Sequence, residues 1–199
     1  DEGVTGCVQM ERGDALVSLV RRRLKALIGE DPLMTERLWG LIWEIDRIEE
    51  MQLSHLGALD LIAWDIKSRT ARLPIYRLLG GHCNRVPAYA STVTWDTMGE
   101  YEQHIKECID VGFTDFKMHA WGDPKADAEL ARNLRRWTGA DASLMFDGSS
   151  GWDYVDALRV GRVLEDEGFL WYEEPMREFE LTSYRKLCDA LDIPVLAAE

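Results

Sequence analysis

Apolar residues first recur at helical spacing. Leu16, Leu19, Val20, Leu24, Leu27 and Ile28 predict an amphipathic helix over residues 14–29, which Gly29 is placed to end. The same periodicity predicts helices over 35–50 and 52–70. Residues 1–10 read as a turn and a strand, and 71–81 as a loop. After residue 85 the rhythm changes. Short apolar runs, VPAYAS (86–91), FTDFKMH (113–119), ASLMFD (142–147), FLWYEE (169–174) and IPVLAAE (193–199), alternate with helical patterns near 98–110, 124–137, 153–166 and 181–190. Gly112, Gly139 and Gly168 stand where helices hand over to strands, and Asp123-Pro124 reads as an N-cap followed by proline at the first helical position. Repeated βα units imply a parallel sheet with right-handed crossovers, either an open doubly wound sheet or an eightfold barrel. Runs such as FLWY predict strands buried on both faces. The change of rhythm divides the chain into residues 1–85 and 86–199.

Composition narrows the function classes. The 199 residues are 46% hydrophobic and 30% charged, enough apolar material for a core and too little bias for disorder. The net charge of −13 argues against nucleic acid and anionic membrane as partners. An anionic substrate would need a local site, such as a bound cation or a few basic side chains. No run of 18 apolar residues predicts a membrane span, and no signal peptide is visible. Cys7, Cys83, Cys108 and Cys188 are scattered without metal spacing, as expected of reduced thiols in a cytoplasmic protein. No Gly-rich phosphate-binding motif occurs. The acidic cluster Glu44, Asp46, Glu49 and Glu50 reads as a solvated helix face.

The candidate chemistry lies at strand ends. Asp147 ends LMFD, Glu173 ends LWYE and Glu199 ends VLAAE, each 26 residues from the next. One βα period separates them, so the pattern places three carboxylates at the C-terminal ends of successive parallel strands, the active-site face of a barrel. Converging carboxylates repel unless a cation neutralises them, and hard oxygen ligands suit Mg2+. Glu174 falls on the other side of the strand, where it would orient neighbours. One repeat earlier, Lys117 and His119 share a strand face and Met118 points away. Two basic groups beside a cation site imply a facing anion.

At these residues the chain resembles the mandelate racemase and muconate lactonizing branch of the enolase superfamily. Asp147, Glu173 and Glu199 match that family's metal triad, YEEP (172–175) its fourth-strand signature, and Lys117-Met118-His119 its Lys-x-Lys or Lys-x-His pair. ALDLIAWDIKSRTARLPIYRLLGG (58–81) is similar to the passage from the capping domain into the barrel, and DEGVTG (1–6) to an early strand pair of the cap. The resemblance implies a partial (β/α)8 TIM-type barrel, strands one to five, preceded by part of an α+β capping domain. The chain begins without Met and lacks the sixth to eighth strands, so it is expected to be a fragment of a longer protein, a homo-oligomer like many relatives.

The chemistry implied is removal of the proton α to a carboxylate, with a Lys or His base and Mg2+ stabilising an enediolate. Lys117 would support the developing charge and His119, or Lys117, would exchange the proton. Dehydration of a sugar acid to a 2-keto-3-deoxy acid is the expected outcome. Racemisation or epimerisation, cycloisomerisation, and a metal-binding barrel without turnover are the alternatives. Trp121 and Ser149, with Ser150 and Trp152, would line the mouth and suit a polyol chain. The family often carries Asn where this chain has Ser149.

Overall fold

The computed structural model describes residues 3–9, 14, 17–18, 21, 24–49 and 53–197. The chain divides into two compact units, Asp1–Arg85 and Val86–Glu199.

In the first unit the described positions Asp14, Val17, Ser18 and Arg21 are helical, and Leu24–Leu27 forms a single 3-10 stretch where the periodicity predicts the end of a longer helix. Helices α1 (Thr35–Glu49) and α2 (Leu53–Ala71) pack through Ile42, Ile45, Leu56 and Leu59. Residues 3–9 carry no regular structure, against the expected strand. They are held to α2 by side-chain chemistry: the Cys7 N–H donates to Asp65 Oδ2 at 2.9 Å, and a Cβ on Gly6 would meet the Ile62 carbonyl at 2.6 Å. A short helix, α3 (Ile75–Leu78), interrupts the loop expected over 71–81. Pro74 opens it, since a fixed φ of −63° suits a helix start.

The second unit is a run of βα units. Strands β1 (Ala90–Ser91), β2 (Asp115–His119), β3 (Ser143–Asp147), β4 (Trp171–Glu173) and β5 (Val195–Leu196) form one parallel sheet in that order. Helices α4 (Met98–Asp110), α5 (Pro124–Thr138), α6 (Tyr154–Asp166) and α7 (Leu181–Ala190) separate them. The helix starts follow local chemistry. Thr97 forms a capping box with Glu100 on α4, and the Asp123 and Asp153 carboxylates accept backbone N–H groups at the starts of α5 and α6. Gly139 and Gly168 take φ of 84° and 66° after α5 and α6, a conformation that costs other residues a Cβ clash.

Alternation along the strands separates two environments. Phe116, Met118, Leu144, Phe146 and Tyr172 are buried against helix residues Ile105, Leu130, Leu134, Val160, Leu164 and Leu187. The opposite face carries Lys117 and His119, Met145 and Asp147, Trp171 and Glu173. Both faces of β3 are buried, as expected, but Leu170 before β4 is exposed. Among the described residues no helix is long and apolar enough to cross a membrane.

Candidate active site

Strand register brings the candidate residues together. His119 pairs with Asp147 across β2 and β3, and Asp147 with Glu173 across β3 and β4, so the three stand in one row at the C-terminal ends of adjacent strands. Lys117 lies one pleat below on the same face and reaches up. Its Nζ donates to Asp147 Oδ2 at 3.0 Å and to Glu173 Oε1 at 3.1 Å. His119 Nε2 lies 3.2 Å from Asp147 Oδ2. The Lys117 and Asp147 side chains are buried, Glu173 nearly so, and His119 is partly exposed.

One ammonium faces two carboxylates. Burial pushes the Asp147 carboxyl up, but hydrogen bonds from His119, the Ser149 N–H and Lys117 outweigh it and bring it down to about 2. Burial likewise works against the Lys117 ammonium, and its bonds to Asp147 and Glu173 outweigh that and leave it above its ordinary value. Both groups are therefore charged at neutral pH, as a hydrogen-bonded pair in a dry setting requires.

The surrounding loops shape the mouth. Ser149 donates its N–H to Asp147 Oδ1 at 2.9 Å. Ser149, Ser150 and Glu174 all take positive φ, of 48°, 57° and 41°, which is strained for residues with a Cβ. The turns interlock through the Gly148 N–H on the Glu173 carbonyl and the Ser150 N–H on the Glu174 carbonyl. Gly148 must be glycine, because a Cβ there would meet the Trp152 ring at 2.5 Å and Pro175 Cα at 2.9 Å. Glu174 has left the strand: its backbone N–H donates to the Leu196 carbonyl.

Four of the expected residues thus converge: Lys117, His119, Asp147 and Glu173, with Ser149 beside them. Trp121 does not reach them. Its ring packs edge-on to Tyr101 and its indole N–H donates to the Trp95 carbonyl. Trp152 is buried between Phe146 and Tyr172 rather than lining the mouth. Leu196 stands opposite Glu173 in β5, and Glu199 lies outside the described residues. Among the described residues no group of three or more His, Cys, Asp and Glu side chains is disposed to hold a metal ion. Residues not anticipated also take part. Trp171 donates its indole N–H to Glu173 Oε2 at 3.1 Å, a contact the period-2 pattern could have suggested. Thr92, Tyr101 and Asp127 hold the backbone around His119.

Parallel βα units that gather acid and base side chains at the strands' C-terminal ends define a barrel-type catalytic scaffold. The chain belongs to the enolase C-terminal domain-like family, whose profile matches residues 100–199, half of its length. It is 28% identical over 186 residues to the L-talarate/galactarate dehydratase of Salmonella typhimurium, covering 87% of this chain and 45% of that protein. It is 28% identical over 210 residues to the D-galactarolactone cycloisomerase of Agrobacterium fabrum, covering 100% and 55%. The D-glucarate dehydratase from Agrobacterium tumefaciens, crystallised with magnesium, superposes with a TM-score of 0.84 at 32% identity, covering 91% of this chain and 52% of that one. The chain therefore spans about half the length of the relatives it matches.

Proposed function

We propose that the protein is a Mg2+-dependent lyase that removes the proton α to a substrate carboxylate and dehydrates a sugar acid to a 2-keto-3-deoxy acid. The observation that carries this reading is the Lys117 ammonium lying within 3.1 Å of both Asp147 and Glu173, with His119 Nε2 3.2 Å from the same Asp147 oxygen. Asp147 and Glu173 supply hard carboxylate oxygens of the kind a divalent cation takes, and both already face one cationic atom. Asp147 and Glu173 would hold Mg2+, with Glu199 the third candidate. When bound, Mg2+ neutralises charge that develops on the substrate carboxylate as the α-proton leaves.

The chain's own residues supply the rest. Lys117 presents a fixed positive charge beside the carboxylates and stabilises the same developing charge. His119 exchanges the α-proton, because an imidazole accepts and returns protons without the strong desolvation a lysine base needs. The β-hydroxyl then departs as water with a returned proton, and the enol tautomerises to the keto acid. Ser149, exposed beside Asp147, is available to a substrate hydroxyl. Trp121 contributes by packing. The first unit, Asp1–Arg85, is read as part of a capping domain. An isomerase is the second reading, since a cycloisomerase matches this chain over all of its length, as a D-galactonate dehydratase also does.

The full-length protein, with MgCl2, should be incubated with aldonates and aldarates including galactarate and glucarate in D2O. Keto-acid release supports the dehydratase. Deuterium uptake without keto acid supports the isomerase. Neither, across the panel, overturns both. His119→Asn should abolish α-deuterium exchange on its face, and undiminished exchange would remove His119 from the mechanism.

A further inference from the structure

The imidazole of His119 is held in an unusual way. A catalytic histidine is ordinarily oriented by a hydrogen bond from its second ring nitrogen. His119 Nδ1 is buried and has no partner among the described residues. The Nε2 contact to Asp147 is therefore left to hold the ring together with the backbone that carries it.

That backbone is fixed at every step. The His119 N–H donates to Thr92 Oγ1 at 3.2 Å, and the His119 carbonyl accepts from the Tyr101 hydroxyl at 2.7 Å. The Ala120 N–H donates to the Asp147 carbonyl. The next two N–H groups, of Trp121 and Gly122, donate to the two oxygens of Asp127, at 2.8 and 3.0 Å. Four consecutive donors are thus satisfied, and one carboxylate takes half of them.

Asp127 also accepts from the Asp123 N–H, but it is not needed to cap its own helix. The start of α5 is already capped by Asp123, which accepts from Lys125 and Ala126. Asp127 lies on the apolar face of α5 in phase with Leu130, Ala131 and Leu134, and like them is fully buried. Helix packing alone would favour an apolar side chain there. Burial pushes its carboxyl up to about 6 against the pull of the Trp121 and Gly122 N–H bonds, so the ionised form is held at a cost to the fold.

We propose that Asp127 is a positioning residue for His119, fixing the turn between β2 and α5 so that the imidazole stays against Asp147. This rests on the reading of His119 as the acid–base group. Loosening the turn would misplace the ring while leaving the carboxylates on β3 and β4 untouched.

The test uses the full-length protein with MgCl2 and two readouts. The first is NMR of 15N-histidine-labelled protein. The chain holds four histidines, and the His119 signals are assigned by their loss in His119→Asn. The second is α-deuterium exchange into galactarate, or into whichever panel member turns over. In Asp127→Asn, which keeps one acceptor, and in Asp127→Ala, the His119 signals should shift and broaden while those of His82 stay. The exchange kcat should fall about 10- to 100-fold with little change in KM, as expected when a catalytic group is misplaced by about an ångström. Asn should lie between Ala and wild type. Tyr101→Phe, which releases the His119 carbonyl from the other side, should move the same signals. If Asp127→Ala does not fold, Asp127→Asn decides. Lowered thermal stability with His119 signals and exchange unchanged would overturn the proposal and leave Asp127 purely structural. Should His119→Asn retain exchange, the acid–base role fails, and the His119 signals still decide whether Asp127 positions the ring.

Discussion

Lys117 bridges two carboxylates that would otherwise face each other in a nearly dry setting. Breaking such a group by removing the cation leaves uncompensated charge, which costs far more than the pair itself contributes. Lys117→Met should therefore lower the stability of the metal-free protein by about 3 kcal/mol, measured by urea unfolding. Added MgCl2 should return more stability to this variant than to wild type, because a ligand that binds only the folded state stabilises it by mass action. A variant as stable as wild type without Mg2+ would show that the three charges are solvated. Lys117, His119, Asp147 and Glu173 were legible in the sequence because a strand alternates with period two and a βα unit repeats. Asp127 and Tyr101 were not. Both sit in helices, where a buried polar group is indistinguishable by spacing from an apolar one, and their partners are backbone atoms that leave no trace in sequence. Trp121 and Trp152 were placed by proximity to the site. Which way a large ring turns is decided by packing, here against Tyr101, and against Phe146 and Tyr172.

The βα elements were legible because caps, glycines and apolar runs agree with one another at each boundary. Agreement was weaker where a single signal stood by itself: β1 covers only two of the six residues its apolar run suggested. What the pattern hides is how neighbouring units are tied together. Arg135, in the last turn of α5, donates to the carbonyls of Gly139 at 3.0 Å and Ala142 at 2.8 Å, and also to those of Glu167 at 2.9 Å and Gly168 at 3.1 Å. One guanidinium thus joins the turn before β3 to the turn before β4, satisfying carbonyls that the helix ends leave open. Arg135→Met should destabilise the protein by about 3 kcal/mol, since charged hydrogen bonds are worth about 1.5–3 each and partial exposure discounts their sum. Arg135→Lys should recover little of that, because an ammonium cannot span the fork. Denaturant midpoints measure both, and full recovery by lysine would show that charge rather than geometry matters at this turn.

For the molecule as a whole, the direction in which stability follows pH is set by a few carboxyls. Most shifted ones are lowered. Asp147, near 2, and Glu165 and Asp123, also below their ordinary values, contribute stability that is complete above the ordinary carboxyl range and lost as pH falls below it. Asp60 and Asp127 are displaced upward, both chiefly by burial. A carboxyl whose folded value is raised binds its proton more tightly in the native state. The stability linked to it is present at low pH and declines as pH rises from the ordinary value near 3.8 through about 6. The net charge of −13 acts in the same sense, since self-repulsion grows as acids ionise. Comparing wild type with Asp127→Asn isolates one contribution, because Asp60 and the net repulsion are nearly common to both. The stability of wild type relative to Asp127→Asn should fall between about pH 4 and pH 6 and level off above. Urea unfolding at intervals across that range gives the difference directly. Parallel curves would mean that the two N–H bonds from Trp121 and Gly122 fully offset the burial of Asp127, and that the carboxylate is held on the turn at no cost to the fold.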